Sequence, residues 1–339
     1  MSLRLIAQSL GLSITTVSRA LSDYSDVAED TKRRVLEEAA RIGYVPNALA
    51  RRLQKGRADS IALATRIDNL GNTDTLLYEV VAATWSRLVE LQLDTVLLGI
   101  GLDPERDISE KGAFKRTVRE RTVDGIILVR PTVDDWRISF LEKTGFLFVV
   151  LGTVSQPCAA PVIGPDIEAG ARLLTERFAA LGHHRVACIA PLGGYQFVAA
   201  HMAALTARGS SRGLTFSLFE GPASEAGGFA QTRAALSQPD RPTAFLYLFN
   251  RMAHGGASAL CECGLEPGRD TAVISFGDDH LLPHTRPPMT ALNWPVHDMA
   301  RHAVDVLTRI IGRQPLDLVS SWPVELVLRS SDCRVPNAA

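Results

Sequence analysis

Three side chains near the amino terminus have the chemistry needed to read bases in double-stranded DNA. Arg19 can donate two hydrogen bonds to O6 and N7 of guanine, which discriminates by about 1–3 kcal/mol. Thr15 can offer one hydrogen bond or a methyl contact, and Ile14 can contact a thymine methyl group. The neighbouring hydroxyls, suited to phosphate contacts that fix register, are those of Ser13, Thr16 and Ser18. These residues predict DNA recognition, although a small helical bundle would also fit them.

The local pattern places these side chains at the start of the second helix of a helix-turn-helix. An apolar-periodic run ends at Gly11, where the missing Cβ tolerates a left-handed turn. A second helix is predicted to begin after Ser13, whose hydroxyl can cap the exposed N–H groups. Val17, Ala20 and Leu21 would pack inward. Such a helix presents its first residues to the major groove.

Two further helices are predicted after this pair. Residues 31–43 form an amphipathic pattern. Its apolar face consists of Val35, Leu36, Ala39 and Ile42. A short helix can begin at Pro46 and end at Gly56.

A basic segment accompanies these helices, although the formal charge of the whole chain is only −1. It contains Arg41, Arg51, Arg52, Lys55 and Arg57. No acidic residue follows Arg41 before Asp59. The segment could be a solvated helix face, but beside a helix-turn-helix it favours phosphate contact.

Beyond residue 59, apolar strand-like runs alternate with helical patterns. The strand-like runs cover residues 60–67, 95–100, 123–129, 146–151, 185–190, 243–249 and 272–276. This alternation predicts parallel sheets covered on both faces, and the runs are too many for one compact sheet. We therefore expect two doubly wound subdomains, with a ligand between them at the carboxyl ends of the strands.

Composition limits the class of protein. The chain has 339 residues, of which 46% are hydrophobic and 22% charged, as in soluble proteins of two or three domains. Neither a signal pattern nor an apolar run of membrane-spanning length is present. The five cysteines form no secreted-type framework. A cytoplasmic location is expected.

Sequence motifs connect these features to a known family. The headpiece motifs are Thr-Val-Ser-Arg-Ala-Leu at 16–21 and Gly-Tyr-Val-Pro-Asn-Ala-Leu-Ala at 43–50. Body motifs lie at 124–128, 181–187 and 322–330. With these motifs the sequence resembles the lac-repressor (LacI/GalR) family of bacterial regulators over essentially its whole length. The resemblance implies an N-terminal all-α helix-turn-helix headpiece with a hinge helix, followed by an α/β periplasmic-binding-protein-like body of two doubly wound subdomains.

The resemblance also implies domain boundaries. They are a headpiece at 1–45, a hinge at 46–58, an N-terminal subdomain at 59–158 plus 290–318, and a C-terminal subdomain at 161–288 plus 321–339. The chain would cross between subdomains near 157–161, 288–293 and 318–321. Tetrameric members carry a further leucine-heptad helix, and this sequence shows none, so a homodimer on palindromic operator DNA is expected.

The predicted hinge helix implies a second contact with DNA. In the family, paired hinge helices enter the minor groove and force apart the central base step with leucine wedges. Leu53 matches the wedge, while Asn47 and Ala50 would face the groove. Alternatively, Leu53 packs on the body.

Several positions that commonly touch the effector in this family are changed here. Phe197 occupies the place of a clamping arginine, so an anion that needs a bidentate partner would be poorly served. Gly277 stands at a typical ligand aspartate, which leaves Asp278 as the nearest substitute. Asn250 matches the asparagine that is usual in the cleft of family members.

The expected effector is therefore a neutral carbohydrate. Phe197 and Trp294 would supply stacking faces. Hydrogen bonds would come from Asp68, Arg130, Asn250 and Asp278. Each aromatic could instead be a core residue, and Arg130 could be a surface ion-pair partner. Control by another metabolite or by a protein partner remains the alternative.

Other functional classes find little support in the sequence. Cys261 and Cys263 would point apart on a helix, and Pro283 interrupts the spacing of His280 and His284. No dinucleotide, phosphate-loop or nucleophile-elbow motif is present. We expect no catalytic residue, metal or cofactor. A solute-binding protein would share the body fold, but the headpiece argues against it. The predicted function is transcriptional regulation, with repression as the expected mode.

Replacing Leu53 tests the predicted wedge. Leu53→Ala should weaken specific operator binding and leave the weak, salt-sensitive nonspecific mode intact, because only the specific complex unstacks the central step. Titration of operator and random DNA at several salt concentrations measures both modes. Equal loss of both would contradict the wedge role.

Overall fold

A computed structural model describes residues 3–21, 24–44, 56–66, 75–100 and 104–335, apart from the side chains of Ile100 and 104–110. The chain divides into two compact units, Met1–Asp59 and Ser60–Ala339. Among the described helices, none combines the length and apolar character needed to cross a membrane.

The first unit contains the predicted helix-turn-helix and a third helix. Its helices are α1 (Leu3–Leu10), α2 (Ile14–Leu21) and α3 (Glu29–Arg41). Gly11 adopts a φ of 66° in the turn, as the sequence predicted. The core is formed by Ile6, Val17 and Val35, all fully buried.

One predicted core residue of this unit is on the surface. Leu36 is 55% exposed, whereas Val35 and Ala39 are buried and Ile42 packs against them. A residue one position along a helix points about 100° away from its neighbour. The buried face follows the spacing of Val35, Ala39 and Ile42, which turns Leu36 outward, so the prediction was wrong there.

A buried carboxylate joins the first and third helices. Ser9 Oγ on α1 donates to Glu38 on α3, and Arg41 donates to both carboxylate oxygens of Glu38 over 2.7 Å. The hydrogen bonds from Arg41 and Ser9 lower the pKa of Glu38 to about 2. Arg41 is thereby engaged within the unit, so its charge is less available to phosphate than the basic run of the sequence suggested.

The second unit contains two six-stranded sheets. The first has the strand order β11-β5-β4-β3-β1-β2 and is parallel throughout. Its strands are β1 (Ser60–Arg66), β2 (Asp94–Ile100), β3 (Gly125–Val129), β4 (Phe148–Leu151), β5 (Val162–Pro165) and β11 (Ser321–Trp322). The helices associated with it are α4 (Thr75–Glu90), α5 (Pro104–Glu120), α6 (Trp136–Thr144) and α11 (Val296–Ile311).

The second sheet has the order β12-β10-β9-β8-β6-β7, in which only β12 is antiparallel. Its strands are β6 (Arg185–Pro191), β7 (Thr215–Gly221), β8 (Ala244–Tyr247), β9 (Ala272–Phe276), β10 (Thr290–Asn293) and β12 (Glu325–Val327). The helices that cover it are α7 (Ile167–Ala180), α8 (Gln196–Ser210), α9 (Glu225–Leu236) and α10 (Asn250–Glu262). The two sheets form the predicted pair of doubly wound subdomains.

The chain crosses between the sheets three times, each time at or just beyond the end of the predicted crossing segment. The crossings follow β5, β10 and β11. Residues 162–165 and 321–322 therefore belong to the first sheet, and 290–293 to the second, opposite to the predicted boundaries. These strands have two to four residues, and hydrogen bonds to distant segments, not an apolar run of their own, assign them to a sheet.

The pKa of Glu38 makes the stability of the headpiece depend on pH. A lowered folded-state pKa adds stability above the ordinary value of 4.5, and this contribution is lost as the pH falls towards about 2. Glu38→Gln should therefore destabilise the three-helix unit at neutral pH, and its difference from wild type should shrink as the pH is lowered through this range. Methyl NMR of Val17 and Val35 in the full chain, followed through thermal unfolding, measures this difference.

The matched control is Glu37→Gln, since Glu37 is exposed and its ion pair with Arg33, at 3.5 Å, lies at the surface of the same helix. A Glu38→Gln difference of the same size at both ends of the pH range would contradict the assigned role.

Candidate functional site

Helix α2, the predicted DNA-reading helix, is capped as the sequence predicted. The backbone N–H of Thr16 donates to Ser13 Oγ over 3.0 Å, and the two hydroxyls lie 2.8 Å apart. Ser13 and Thr16 are thus hydrogen-bonded to each other at the helix start. This arrangement satisfies an otherwise unpaired backbone donor and holds the first turn in place.

The predicted base-reading side chains project from this turn. Ile14 is 45% exposed, Thr15 is exposed and Ser18 is half-buried. Val17 and Ala20 on the opposite side are buried in the core. An exposed isoleucine that does not serve the core is available to contact an apolar group such as a thymine methyl.

Arg19 is oriented by two neighbours in the loop after α2. Its guanidinium forms an ion pair with Asp26 and lies over the ring of Tyr24, 5.1 Å from the centroid. A cation over an aromatic face is favourable, and the ring restricts the plane of the guanidinium. Arg19 therefore has a defined orientation at the surface, and it must share or exchange Asp26 to bind a base.

Four predicted site residues lie outside the described residues. They are Asn47, Ala50 and Leu53 of the expected hinge, and Asp68 of the expected cleft. Their roles stay predictions.

A cleft of about 780 Å³, including space open to solvent, lies between the carboxyl ends of the two sheets. The residues that follow β3, β4, β8 and β10 all contribute to it. Its lining is Leu76, Val80, Val129, Arg130, Pro131, Leu151, Gly152, Thr153, Pro165, Ile167, Phe197, His201, Leu248, Phe249, Phe276, Trp294, Val296 and Met299. The position is the one expected for a ligand in open parallel sheets, and the lining is overwhelmingly apolar.

Phe197 and Trp294 line this cleft, together with Phe276. The rings of Phe197 and Phe276 are nearly parallel, with centroids 6.2 Å apart, and Trp294 lies 4.3 Å from Phe276 at 42°. Phe197 and Trp294 also pack against the core of the second sheet. They are therefore both core-supported and exposed to the cleft, so a ligand would meet a rigid aromatic surface.

Arg130 also lines the cleft, directly after β3. Its backbone is left-handed, with a φ of 50°, which is uncommon for a residue with a side chain. Its guanidinium lies 5.5 Å from the centroid of the Phe249 ring, a residue that follows β8 in the second sheet. Arg130 thus spans from one subdomain to the other at the cleft.

Asn250 and Asp278 do not line the cleft. Asn250 is fully buried and donates to Thr75 Oγ1 and Asp279 Oδ2 over 2.6 and 2.7 Å, while Thr75 donates to Asp279 over 2.9 Å. Asp278 accepts two hydrogen bonds from Arg329, at 2.9 and 2.7 Å. The carboxylate beside Asn250 is therefore Asp279, and the nearest substitute predicted from the sequence is committed to another partner.

Leu76 explains why the cleft has no side chain at position 277. Gly277 has a φ of 86°, and a Cβ added there would overlap Cδ1 of Leu76. Leu76 lies in the first turn of α4 in the first subdomain and is itself part of the lining. An apolar group from the opposite subdomain thus occupies the space beside Gly277, the position at which the sequence predicted the loss of a ligand carboxylate.

His201 is a cleft residue that the sequence did not single out. It lies on α8, one turn after Phe197, and its ring stands edge-on to Phe276 with centroids 4.3 Å apart. The spacing of four from Phe197 on a helix could have indicated a shared face. The described residues contain no cluster of three or more groups that could hold a metal ion.

Comparison with known proteins accounts for both units. The family model for bacterial regulatory proteins of the lacI family matches residues 2–47, and a periplasmic binding protein-like domain matches residues 175–331. The HTH-type transcriptional regulator RafR of Escherichia coli is 33% identical over 280 residues, which are 82% of each chain.

A further relative and a solved structure match nearly the whole chain. The lactose operon repressor of Escherichia coli (strain K12) is 29% identical over 335 residues, 96% of this chain and 89% of that protein. The crystal structure of the lac repressor dimer bound to operator and the anti-inducer ONPF superposes with a TM-score of 0.83 at 27% identity, covering 98% of this chain and 99% of that one. These relatives are transcriptional regulators and not enzymes. The chain belongs to the lacI family of bacterial regulatory proteins and is a transcriptional regulator.

Proposed function

We propose that this regulator represses transcription by binding a palindromic operator as a homodimer, and that a neutral carbohydrate bound in the cleft controls its affinity for DNA. The observation that carries the proposal is the pairing of a capped recognition helix with a ligand-sized cleft in one chain. Each part alone is common, but together they form a DNA reader with a small-molecule input.

On DNA, α2 would lie in the major groove. Arg19 would donate to guanine, and Ile14 and Thr15 would contact neighbouring bases. The stack on Tyr24 supports this role because it orients the guanidinium before binding. The hydroxyls of Ser13, Thr16 and Ser18 would contact phosphate, and Asn47, Ala50 and Leu53 would engage the minor groove.

In the cleft, the aromatic faces of Phe197 and Trp294 favour the C–H faces of a sugar. Arg130 would supply hydrogen bonds, as would Asp68 if it reaches the ligand. The structure gives Asn250 and Asp278 other partners, so we do not assign them to the effector. The name of the lactose operon repressor connects that relative with a sugar.

Ligand binding in the cleft can change how the two subdomains are arranged, because they contact each other at two places. Thr75 bonds Asp279 on one side, and on the other Arg66 donates to the backbone carbonyl of Gly193 over 2.6 Å and covers the ring of Tyr195. A ligand that binds one arrangement of the two subdomains more tightly increases the population of that arrangement. A shift from almost fully bound to almost fully released needs about 5.5 kcal/mol of differential affinity.

An exposed apolar stripe on α4 supports the homodimer. Tyr78, Trp85 and Val89 are 69%, 58% and 53% exposed and lie seven and four residues apart, on one face of the helix. Leu97 on the neighbouring edge strand β2 is also exposed. Large apolar side chains that share a face mark a protein interface more often than a free surface.

Arg19→Ala should lower the affinity for the selected operator by about 10- to 100-fold, which corresponds to a loss of about 1–3 kcal/mol, and leave random DNA nearly unaffected. The operator is first obtained by selection from random duplexes with the full chain. Fluorescence anisotropy then measures both affinities, and the same titrations with sugars, polyols, nucleosides and sugar phosphates test the effector.

The control for lost charge is Arg172→Ala, an exposed arginine of the body paired with Glu176. Failure of the wild type to select any sequence would refute the DNA role. Operator binding that no compound alters would refute small-molecule control and favour a protein partner.

Trp85→Asp combined with Tyr78→Asp should convert the dimer into a monomer of 36.7 kDa, because charges would be buried in an apolar interface. Sedimentation velocity measures the mass. Leu316→Asp, at an exposed leucine outside α4, should leave the dimer unchanged. A dimer that survives the double substitution would place the interface elsewhere.

A further inference from the structure

Polar side chains are scarce in the cleft. Apart from the indole of Trp294, the described lining offers Arg130, Thr153 and His201. An arginine can only donate hydrogen bonds, whereas a threonine hydroxyl can donate or accept them. Among the described lining residues, His201 is therefore the one whose side chain can offer a ring nitrogen that only accepts a hydrogen bond. Whether it accepts depends on the protonation state of the ring.

The surroundings of His201 define its tautomer. Nδ1 lies 2.6 Å from the backbone carbonyl oxygen of Phe197. A carbonyl oxygen can only accept, so Nδ1 carries the proton and donates. In the neutral ring Nε2 is then unprotonated, and it is the nitrogen left for a ligand.

His201 is also held in its neutral form. It is almost fully buried, and burial lowers its pKa to about 4 because a charged imidazolium would lose its hydration. The aromatic ring of Phe276 packs edge-on against it. At neutral pH, Nε2 therefore presents a lone pair in an apolar setting.

A second polar atom of the lining also lacks a partner. Oγ1 of Thr153 is buried without a hydrogen bond to any described residue. Buried hydroxyls normally have partners, so such an atom beside a cleft indicates a group that arrives with the ligand. Thr153 follows β4 in the first subdomain, while His201 belongs to the second, so one ligand could engage both subdomains.

We propose that His201 is a specificity-determining residue of the cleft, where Nε2 accepts a hydrogen bond from a hydroxyl of the effector. The inference rests on the proposed function and deepens it, since it defines the class of ligand. The effector donates a hydroxyl to His201, satisfies Thr153, and rests an apolar face on Phe197 and Trp294. Carboxylates and phosphates are excluded from the His201 position, because at neutral pH the oxygens of a carboxylate, and most of those of a phosphate, have no proton to donate.

Two substitutions at His201 test the proposal. His201→Phe keeps the aromatic packing but removes the acceptor, and His201→Gln keeps an acceptor oxygen. The probes are glucose, galactose, lactose, cellobiose and mannitol, with glucuronate and glucose 6-phosphate as anionic counterparts of glucose. Calorimetric titration of the full chain gives affinities, and thermal melts without ligand verify folding.

We expect the wild type to bind at least one neutral probe, His201→Phe to bind it about tenfold more weakly or worse, and His201→Gln to retain part of the affinity. His297→Phe, at an exposed histidine of α11, should bind as the wild type does. If His201→Phe is unfolded, the change in sugar affinity is measured with His201→Gln instead. ¹⁵N NMR of the wild type is then added, in which the Nε2 resonance of His201 should shift when the ligand is added.

Three results would overturn the proposal. Neutral sugar binding that is equal in wild type and folded His201→Phe would refute the role of His201 while the proposed effector class stands. Binding of the anionic probes alone would refute the ligand class. Binding of none of the probes would refute both, and operator binding, measured separately, would still test the DNA role.

Discussion

The cost of a buried polar atom without a partner governs the whole cleft. Asn250, Thr75 and Asp279 meet this requirement by bonding one another across the boundary between the subdomains. Asp278 meets it by pairing with Arg329. What remains for a ligand is the small set of polar groups in the lining that the protein does not satisfy, and the proposed selectivity rests on them.

The apolar character of the cleft comes from changes that fit together. Leu76 fills the space beside Gly277, so a side chain at position 277 would require Leu76 to move as well as a strained left-handed backbone. Phe197 extends the aromatic surface of Phe276 and Trp294 where a charged side chain would have to be desolvated. In the proposed function, an aromatic and largely apolar lining would recognise its ligand by shape and by a few directed hydrogen bonds.

The headpiece depends on local interactions to a greater degree. Ser13 caps the helix that it precedes, and Tyr24 and Asp26 hold an arginine only a few residues away. Longer-range contacts complete the unit, since Glu38 connects α3 to Ser9 on α1 and the core side chains of the three helices pack together. A unit built largely from short-range contacts can be recognised from a short stretch of sequence, which is why its helices were predicted closely.

The sequence by itself determined the helix-turn-helix, the strands β1–β4, β6, β8 and β9, and the presence of a cleft, because apolar periodicity, glycine turns and helix caps act over a few residues. It missed β7, although that strand has seven residues. Only the tertiary structure decided which short edge strands join which sheet, that Asp279 and not Asp278 meets Asn250, and that Leu36 is exposed. It also brought His201 and Thr153 to one cleft. Each of these depends on contacts between segments far apart in the chain, and neither the periodicity nor the chemistry of a residue specifies its distant partner.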